Sequence, residues 1–197
     1  MNSFILYACD TETTSLDNST GDVIELSLIR LSDNMQKTWC IKPTNFDGIQ
    51  KEALKINGHK FEDITHQTKE GRDKYQPADK VVADIENWIM EDGGFSENRC
   101  LVGQNVLFDK SYMEKLWEKV GCKNTFPFGR KYLDTLQIEL FLDFCKNEEQ
   151  QYYNLGSIIK KYGVKLDKAH TAAADTLATK DLFLKQVEYV KKLVNGI

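Results

Sequence analysis

Residues 4–15 read FILYACDTETTS, a run of apolar residues that leads directly into two carboxylates. Successive side chains of a β-strand point to opposite faces, so Asp10 and Glu12 share a face with the apolar even-numbered residues before them. The odd-numbered residues make the opposite face apolar as well, which is typical of a central strand covered on both sides. Two acids at the end of such a strand cost free energy unless positive charge meets them. The stretch therefore predicts a central strand that ends at a charged site.

The composition fits one globular domain over residues 1–197, with 41% hydrophobic and 28% charged residues. The formal net charge of −4 argues against a protein that coats duplex DNA through a basic surface. The five cysteines are scattered and form no CxxC pair, so we expect a reduced, cytoplasmic protein without a disulfide framework or a zinc site. The N-terminus lacks the features of a signal peptide, and no apolar run approaches the roughly 18 residues that span a membrane.

Three strand-like runs open the chain: residues 3–10, VIELSLIRL from Val23, and QKTWCIKP ending at Pro43. Turn residues at 18–21 and 32–34 separate them, which predicts an antiparallel meander.

The later pattern is helical and then alternates. QKEALKING predicts a helix that stops at Gly58, and ADKVVADIENWIM predicts a second, whereas the polar segment from Gly58 to Pro77 reads as an irregular loop. Strands at CLVGQN and KYLDTL alternate with helices, the last from about Thr171 to Leu193. The order predicts an α/β fold, a mixed sheet with helices on its faces.

Two further acids lie on helix faces that otherwise read as buried. Asp109 precedes Met113 and Trp117 by four and eight residues, and Asp175 precedes Ala178 and Leu182 of the last helix by three and seven. Each acid alone fits a first-turn aspartate that caps its helix. Four acids that converge from three segments would repel one another, and Mg²⁺ or Mn²⁺ would resolve that conflict.

The three histidines receive different interpretations. His170 is five residues before Asp175, about 140° away around a regular helix, so it belongs to the preceding loop and not to the ligand face. There it is placed to take a proton from water. His59 and His66 have no acid or cysteine at metal-ligand spacing and read as ordinary.

The motifs DTE, QNVLFD and HTAAAD together resemble the DEDDh group of the DnaQ-like 3′→5′ exonucleases, which includes the proofreading subunit of bacterial DNA polymerase III. The similarity runs nearly end to end. It implies a ribonuclease H-like fold with a five-stranded mixed sheet flanked by helices. It also implies two divalent metal ions, Mg²⁺ or Mn²⁺, and a general base at His170. The implied metal ligands are Asp10, Glu12, Asp109 and Asp175.

The resemblance further implies a substrate and its contacts. The substrate would be single-stranded nucleic acid with a free 3′ end, DNA in preference, cleaved to nucleoside 5′-monophosphates, with a DNA polymerase as a partner. Leu16 and Phe108 match positions that pack against terminal bases, and plain core packing is the competing interpretation. Asp134 is expected to be structural. The predicted substrate-binding residues are Thr11, Thr13, Leu16, Asn105 and Phe108.

Three alternatives stay open. The first is a 3′→5′ exoribonuclease of the same fold, since the contacts that read a 2′-hydroxyl lie in loops. The second is a non-catalytic module that binds nucleic acid or a polymerase, and the third is a phosphatase-like enzyme with Asp10 as nucleophile. The oligomeric state is undetermined.

Overall fold

The computed structural model describes residues 4–166 and 170–196. Its sheet has five strands in the order β3-β2-β1-β4-β5. The first three strands are antiparallel neighbours, while β1–β4 and β4–β5 are parallel, so the sheet is mixed as predicted. The strands are β1 (Ile5–Thr13), β2 (Val23–Arg30), β3 (Met35–Cys40), β4 (Arg99–Gly103) and β5 (Tyr132–Asp134).

The opening stretch forms the central strand of this sheet. β1 continues to Thr13, three residues beyond the predicted end, so Asp10 and Glu12 lie within the strand. Pairing with β2 carries the strand this far, since Glu12 faces Glu25 across the ladder and the register shifts only after that pair. Both acids are therefore held on a regular backbone.

The helices follow the predicted order with two additions. Gly58, with a φ of 71°, ends the first helix at the predicted position because glycine tolerates the left-handed conformation. In the described parts of the chain the α-helices are α1 (Lys51–Asn57), α2 (Phe61–Ile64), α3 (Lys69–Lys74), α4 (Ala78–Met90), α5 (Val106–Lys119), α6 (Thr135–Lys146), α7 (Leu155–Lys161) and α8 (Ala172–Asn195).

The prediction of an irregular loop from Gly58 to Pro77 was wrong. This segment forms α2 and α3, and Thr68 caps the start of α3 by accepting a hydrogen bond from Gly71 N–H. Ile64 and Tyr75 bury against residues of β2 and α1. Ile64 and Tyr75 are eleven residues apart, which is too far to give a helical or strand-like period in the sequence. Only their tertiary contacts therefore identify this part of the core.

Helices cover both faces of the sheet. Tyr7 and Cys9 of β1 pack with α4 and α5 in the largest apolar cluster. The opposite face lies against α8, which also packs on α7 through Ile158 and Leu182. None of the helices in the described ranges is both long and apolar enough to cross a membrane.

Candidate active site

Three of the four predicted metal-binding acids meet at one point. Asp10 and Glu12 come from β1 and Asp175 from the first turn of α8, and one carboxylate oxygen of each lies within 4.8 Å of the others. All three side chains are half-buried. The two β1 acids point to the face of the sheet that α8 covers, which explains why Asp175 reaches them.

Crowding changes the ionisation of these acids. Burial raises the pKa of Asp10 well above its usual range, and the charges of Asp109 and Glu12 add to the effect. Burial also raises the pKa of Glu12 to about 8, with contributions from Asp175 and Glu25. The pKa of Asp175 is raised by burial as well. Carboxylates that oppose one another's ionisation form a site for hard divalent cations, whose charge offsets the repulsion.

Asp109 lies beside this group and not within it. Its Oδ1 accepts hydrogen bonds from the Thr11 N–H at 2.9 Å and the Thr11 hydroxyl at 2.7 Å. Thr11 points to the α5 side of β1, so Asp109 approaches the strand from the face opposite Asp175. Burial raises the pKa of Asp109 to about 7, although the bonds from Thr11 act in the opposite direction. Thr11, predicted to bind substrate, is buried and uses both of its donors to position Asp109.

One buried carboxylate fixes the turn that places Asp109. Asp134 accepts hydrogen bonds from the N–H groups of Asn105 at 3.0 Å, Val106 at 3.1 Å and Leu136 at 2.9 Å. It therefore caps the starts of α5 and α6 together. Gly103 closes the same turn, since a Cβ there would lie 2.7 Å from the Cβ of Val106. Asn105 adopts a left-handed φ of 58°, and its exposed side chain stays available for the predicted substrate contact.

His170 lies just outside α8, as the helical spacing predicted. Its φ is 67°, and its backbone N–H donates to Asp175 Oδ2 at 3.0 Å. Thr171 then begins the helix by accepting a hydrogen bond from Ala174 N–H at 3.3 Å. The imidazole is exposed at the mouth of the site, beside the acids and not among them.

The remaining predicted substrate-binding residues differ in their surroundings. Thr13 is buried, and its hydroxyl donates to the Ser15 carbonyl at 2.8 Å. Leu16 is 81% exposed, which excludes core packing as the reason for an apolar residue there. Phe108 is half-buried, with its ring centroid 4.9 Å from that of Tyr112. Leu16 thus offers an exposed apolar surface, whereas Phe108 also packs against the main apolar cluster.

Two residues near the site, Glu25 and His59, are not among the predicted site residues. Glu25 is buried directly across the ladder from Glu12, and His59 Nε2 lies 3.3 Å from its carboxylate. His59, read as ordinary from the sequence, thus pairs with a carboxylate next to the site, whereas the His66 imidazole contacts the Tyr75 carbonyl at 2.6 Å. The strand register was the missing signal, because β2 is buried on both faces and shows no alternation.

The sheet order, together with acids on the central strand and on the helices beside it, defines a ribonuclease H-like fold with a nuclease-type site. The family model RNase_T, described as "Exonuclease", matches residues 8–183. The chain therefore belongs to this exonuclease family, as a DnaQ-like 3′→5′ exonuclease domain, and the predicted family, fold class and enzyme class are confirmed. Membership sets aside the phosphatase-like alternative.

The chain is similar to much longer proteins. It is 25% identical over 189 residues to the PolC-type DNA polymerase III of Staphylococcus haemolyticus, covering 93% of this chain and 11% of that protein. The Thermotoga petrophila protein of the same name is 28% identical over 187 residues, covering 93% of this chain and 12% of that protein. The chain thus spans about one ninth of these relatives.

Solved structures of exonuclease I share the fold. One exonuclease I structure superposes with a TM-score of 0.75 at 19% identity, covering 94% of this chain and 41% of that one. Exonuclease I of E. coli in complex with a dT13 oligonucleotide gives a TM-score of 0.70 at 18% identity, covering 96% and 42%.

Proposed function

We propose that the protein is a metal-dependent 3′→5′ exonuclease that removes nucleotides from single-stranded DNA and releases nucleoside 5′-monophosphates. The observation that carries this proposal is the meeting of Asp10, Glu12 and Asp175, with Asp109 next to them, on the central strand of an exonuclease-family fold. A binding module gains nothing from buried negative charge that repels phosphate.

The residues fit two divalent ions, Mg²⁺ or Mn²⁺. Oxygen donors suit these hard cations, and the raised pKa values of the four acids mark a site that lacks positive charge. Asp10, Glu12 and Asp175 would hold the ions jointly, and Asp109 would join them from the other side of β1. Divalent ions held by these residues would supply the positive charge that activates an attacking water and offsets charge on the phosphate and the leaving oxygen.

His170 is the proposed general base. Its exposed imidazole stands at the mouth of the site, where it takes a proton from the attacking water. The left-handed φ of His170 and the hydrogen bond from its backbone N–H to Asp175 hold its main chain in place. They therefore fix the position of its Cα, from which the imidazole extends.

The substrate enters through a cleft next to these groups. A pocket of about 450 Å³, within the usual range for small ligands, opens between His170 and the end of α1, with Asn57 and Lys74 in its lining. Leu16 and Phe108 would stack on the terminal bases of the DNA, and Asn105 would contact the DNA strand. Thr11 and Thr13 would act on the substrate only indirectly, since both hydroxyls are bound within the protein.

We propose single-stranded DNA as the substrate for two reasons. The net charge of −4 disfavours a surface that grips duplex DNA, and one of the E. coli exonuclease I structures that share the fold is a complex with single-stranded DNA. A DNA polymerase is the proposed partner, in keeping with the PolC-type relatives. The cytoplasmic location predicted from the cysteines stays a prediction.

The test is a time course on 5′-labelled single-stranded DNA and RNA of one sequence, with Mg²⁺, with Mn²⁺ and with a chelator. We expect a metal-dependent ladder that shortens from the 3′ end, faster on DNA. Faster shortening of RNA would transfer the assignment to the exoribonuclease alternative. If the protein binds Mn²⁺ but cleaves neither DNA nor RNA, the non-catalytic binding module would be the remaining interpretation.

A further inference from the structure

Glu25 is a fifth carboxylate next to the proposed metal-binding acids. It lies directly across the β1–β2 ladder from Glu12, and opposite residues of an antiparallel pair point to the same face. Its negative charge contributes to the raised pKa of both Asp10 and Glu12. A carboxylate in this position needs a fixed partner of its own, because otherwise it would compete with the other acids for the same cations.

That partner is His59. Its Nε2 lies 3.3 Å from Glu25 Oε2, and its Nδ1 lies 2.6 Å from the hydroxyl of Tyr75. All three residues are buried, with between 2% and 8% of their surface exposed. A buried imidazole with both nitrogens engaged has one orientation, so it holds the Glu25 carboxylate in one place.

Glu25 in turn lies close to the start of α8. Burial opposes its ionisation, but His59, Lys74 and the backbone N–H of Ala173 together hold the pKa of Glu25 below its usual value. Ala173 lies in the first turn of α8, two residues before Asp175. Glu25 and His59 also line the same pocket as His170 and Thr171. Glu25 therefore lies where β2, the α1–α2 connection and the residues that begin α8 meet.

We propose that His59 is a positioning residue of the exonuclease site. Held by Tyr75, it orients Glu25 toward the first turn of α8 and thereby sets the separation of Asp175 from the acids of β1. Both of its ring nitrogens are engaged by Glu25 and Tyr75, so His59 acts through Glu25 and not by binding substrate or metal itself. This inference rests on the proposed function, because its consequence is tighter binding of the metal ions.

The experiment measures Mn²⁺ binding by the full chain, through the electron paramagnetic resonance signal of free Mn²⁺, together with kcat and KM on single-stranded DNA. His59→Leu removes both hydrogen bonds at similar volume, and His59→Gln keeps an N–H donor toward Glu25. We expect His59→Leu to weaken Mn²⁺ binding about tenfold, the lower end of the effect of losing an outer partner of a metal ligand, because His59 acts on the ligands only through Glu25. We expect kcat at fixed metal to fall with little change in KM, and His59→Gln to restore most of both.

A second variant covers the case in which His59→Leu does not fold. Tyr75→Phe removes only the hydroxyl and leaves the ring in place. It should weaken Mn²⁺ binding in the same direction and by less. Folded variants, checked by circular dichroism, that bind Mn²⁺ as tightly as the natural protein would overturn the positioning role.

The failure of the proposed function has a different signature. Asp10→Asn serves as the reference that loses Mn²⁺ binding. A natural protein that binds no more Mn²⁺ than Asp10→Asn would overturn the proposed function, and the role of His59 with it. Binding by the natural protein with unchanged binding by the His59 and Tyr75 variants overturns only the inference about His59.

Discussion

At the scale of single residues, the proposed metal-binding acids lower the stability of the metal-free fold. Asp10, Glu12 and Asp175 lie within 4.8 Å of one another in a half-buried site, and each charge raises the cost of the next. Cations that relieve this repulsion gain affinity from it. The same side chains should therefore affect activity and metal-free stability in opposite directions.

Asp10→Asn tests this opposition. The variant keeps the shape and removes one charge, so activity should fall by about a thousandfold, since metal-centred charge stabilisation contributes several kcal/mol and 1.36 kcal/mol is tenfold. In a chelator its melting temperature should rise, because the variant no longer buries a carboxylate among like charges, and burial and repulsion together raise the pKa of Asp10. The matched control is Asp181→Asn, an acid of α8 whose side chain is 45% exposed and lies 3.1 Å from Lys180. A lower melting temperature for Asp10→Asn in chelator would contradict the argument.

His170→Ala separates proton transfer from metal binding. Loss of a general base lowers turnover by about 10²- to 10⁴-fold. Mn²⁺ affinity should be unchanged, because His170 is outside the acid group. Measuring kcat and Mn²⁺ binding on the same preparation distinguishes the two roles. Full activity in this variant would remove His170 from the mechanism.

Metal-free stability should depend on pH through Glu12. Its pKa is raised from 4.5 to about 8, so between these values the folded state binds more protons than the unfolded state. The contribution is fully present below about pH 4.5, and the free energy of unfolding decreases as pH rises toward 8. Urea unfolding in chelator should show this decrease, and Glu12→Gln should reduce its slope. Equal slopes for the two proteins would count against the raised pKa.

At the scale of elements, a single side chain joins two helix starts to the sheet. Asp134 ends β5 and accepts hydrogen bonds from the first residues of α5 and α6. Because Asp109 is one turn into α5, this cap determines where that acid meets Thr11. The structure thereby supplies a physical reason for the structural role predicted for Asp134.

Asp134→Asn should destabilise both helix starts. The amide offers one acceptor oxygen, so one of three N–H groups loses its partner, and the free energy of unfolding should fall by about 1–3 kcal/mol. Urea denaturation measures the change, with Asp181→Asn as the control on a solvent-accessible acid. Indistinguishable unfolding curves for these two variants would show that Asp134 caps neither helix.

At the scale of the whole molecule, a buried polar network connects the outer helices. Glu139 and Asp143 of α6 are buried, and Lys161 of α7 lies 2.8 Å from the first and 2.5 Å from the second. Gln186 of α8 donates to Glu139 at 3.0 Å. The network therefore fixes α7 and the second half of α8, the helix whose first half carries Asp175.

Lys161→Met should weaken this arrangement. The substitution leaves two buried carboxylates without the cation beside them. Because the Lys161 side chain is itself 29% exposed, the free energy of unfolding should fall by about 1–3 kcal/mol. The matched control is Lys160→Met, a change at the exposed neighbouring position. Urea unfolding measures the free energy of unfolding of both variants. Equal values for the two would show that the network contributes little to stability.

The sequence by itself determined the central strand, the helix that stops at Gly58 and the three segments that carry the acids. These features are local, since apolar periodicity, glycine stops and motif spacing are written in neighbouring residues. The same information placed His170 outside the last helix, because five residues of helix cover a known angle.

Only the tertiary structure decided from which face of the sheet each acid approaches β1 and which residues form hydrogen bonds or ion pairs with it. Asp109 and Asp175 approach β1 from opposite sides, and Glu25 meets His59 across elements that are 34 residues apart in the chain. The helices between Gly58 and Pro77 are likewise held by Ile64 and Tyr75 against distant strands. Strand register and long-range packing set these contacts. Both depend on residues far apart in the chain, so neither is visible in the hydrophobic periodicity of a single segment.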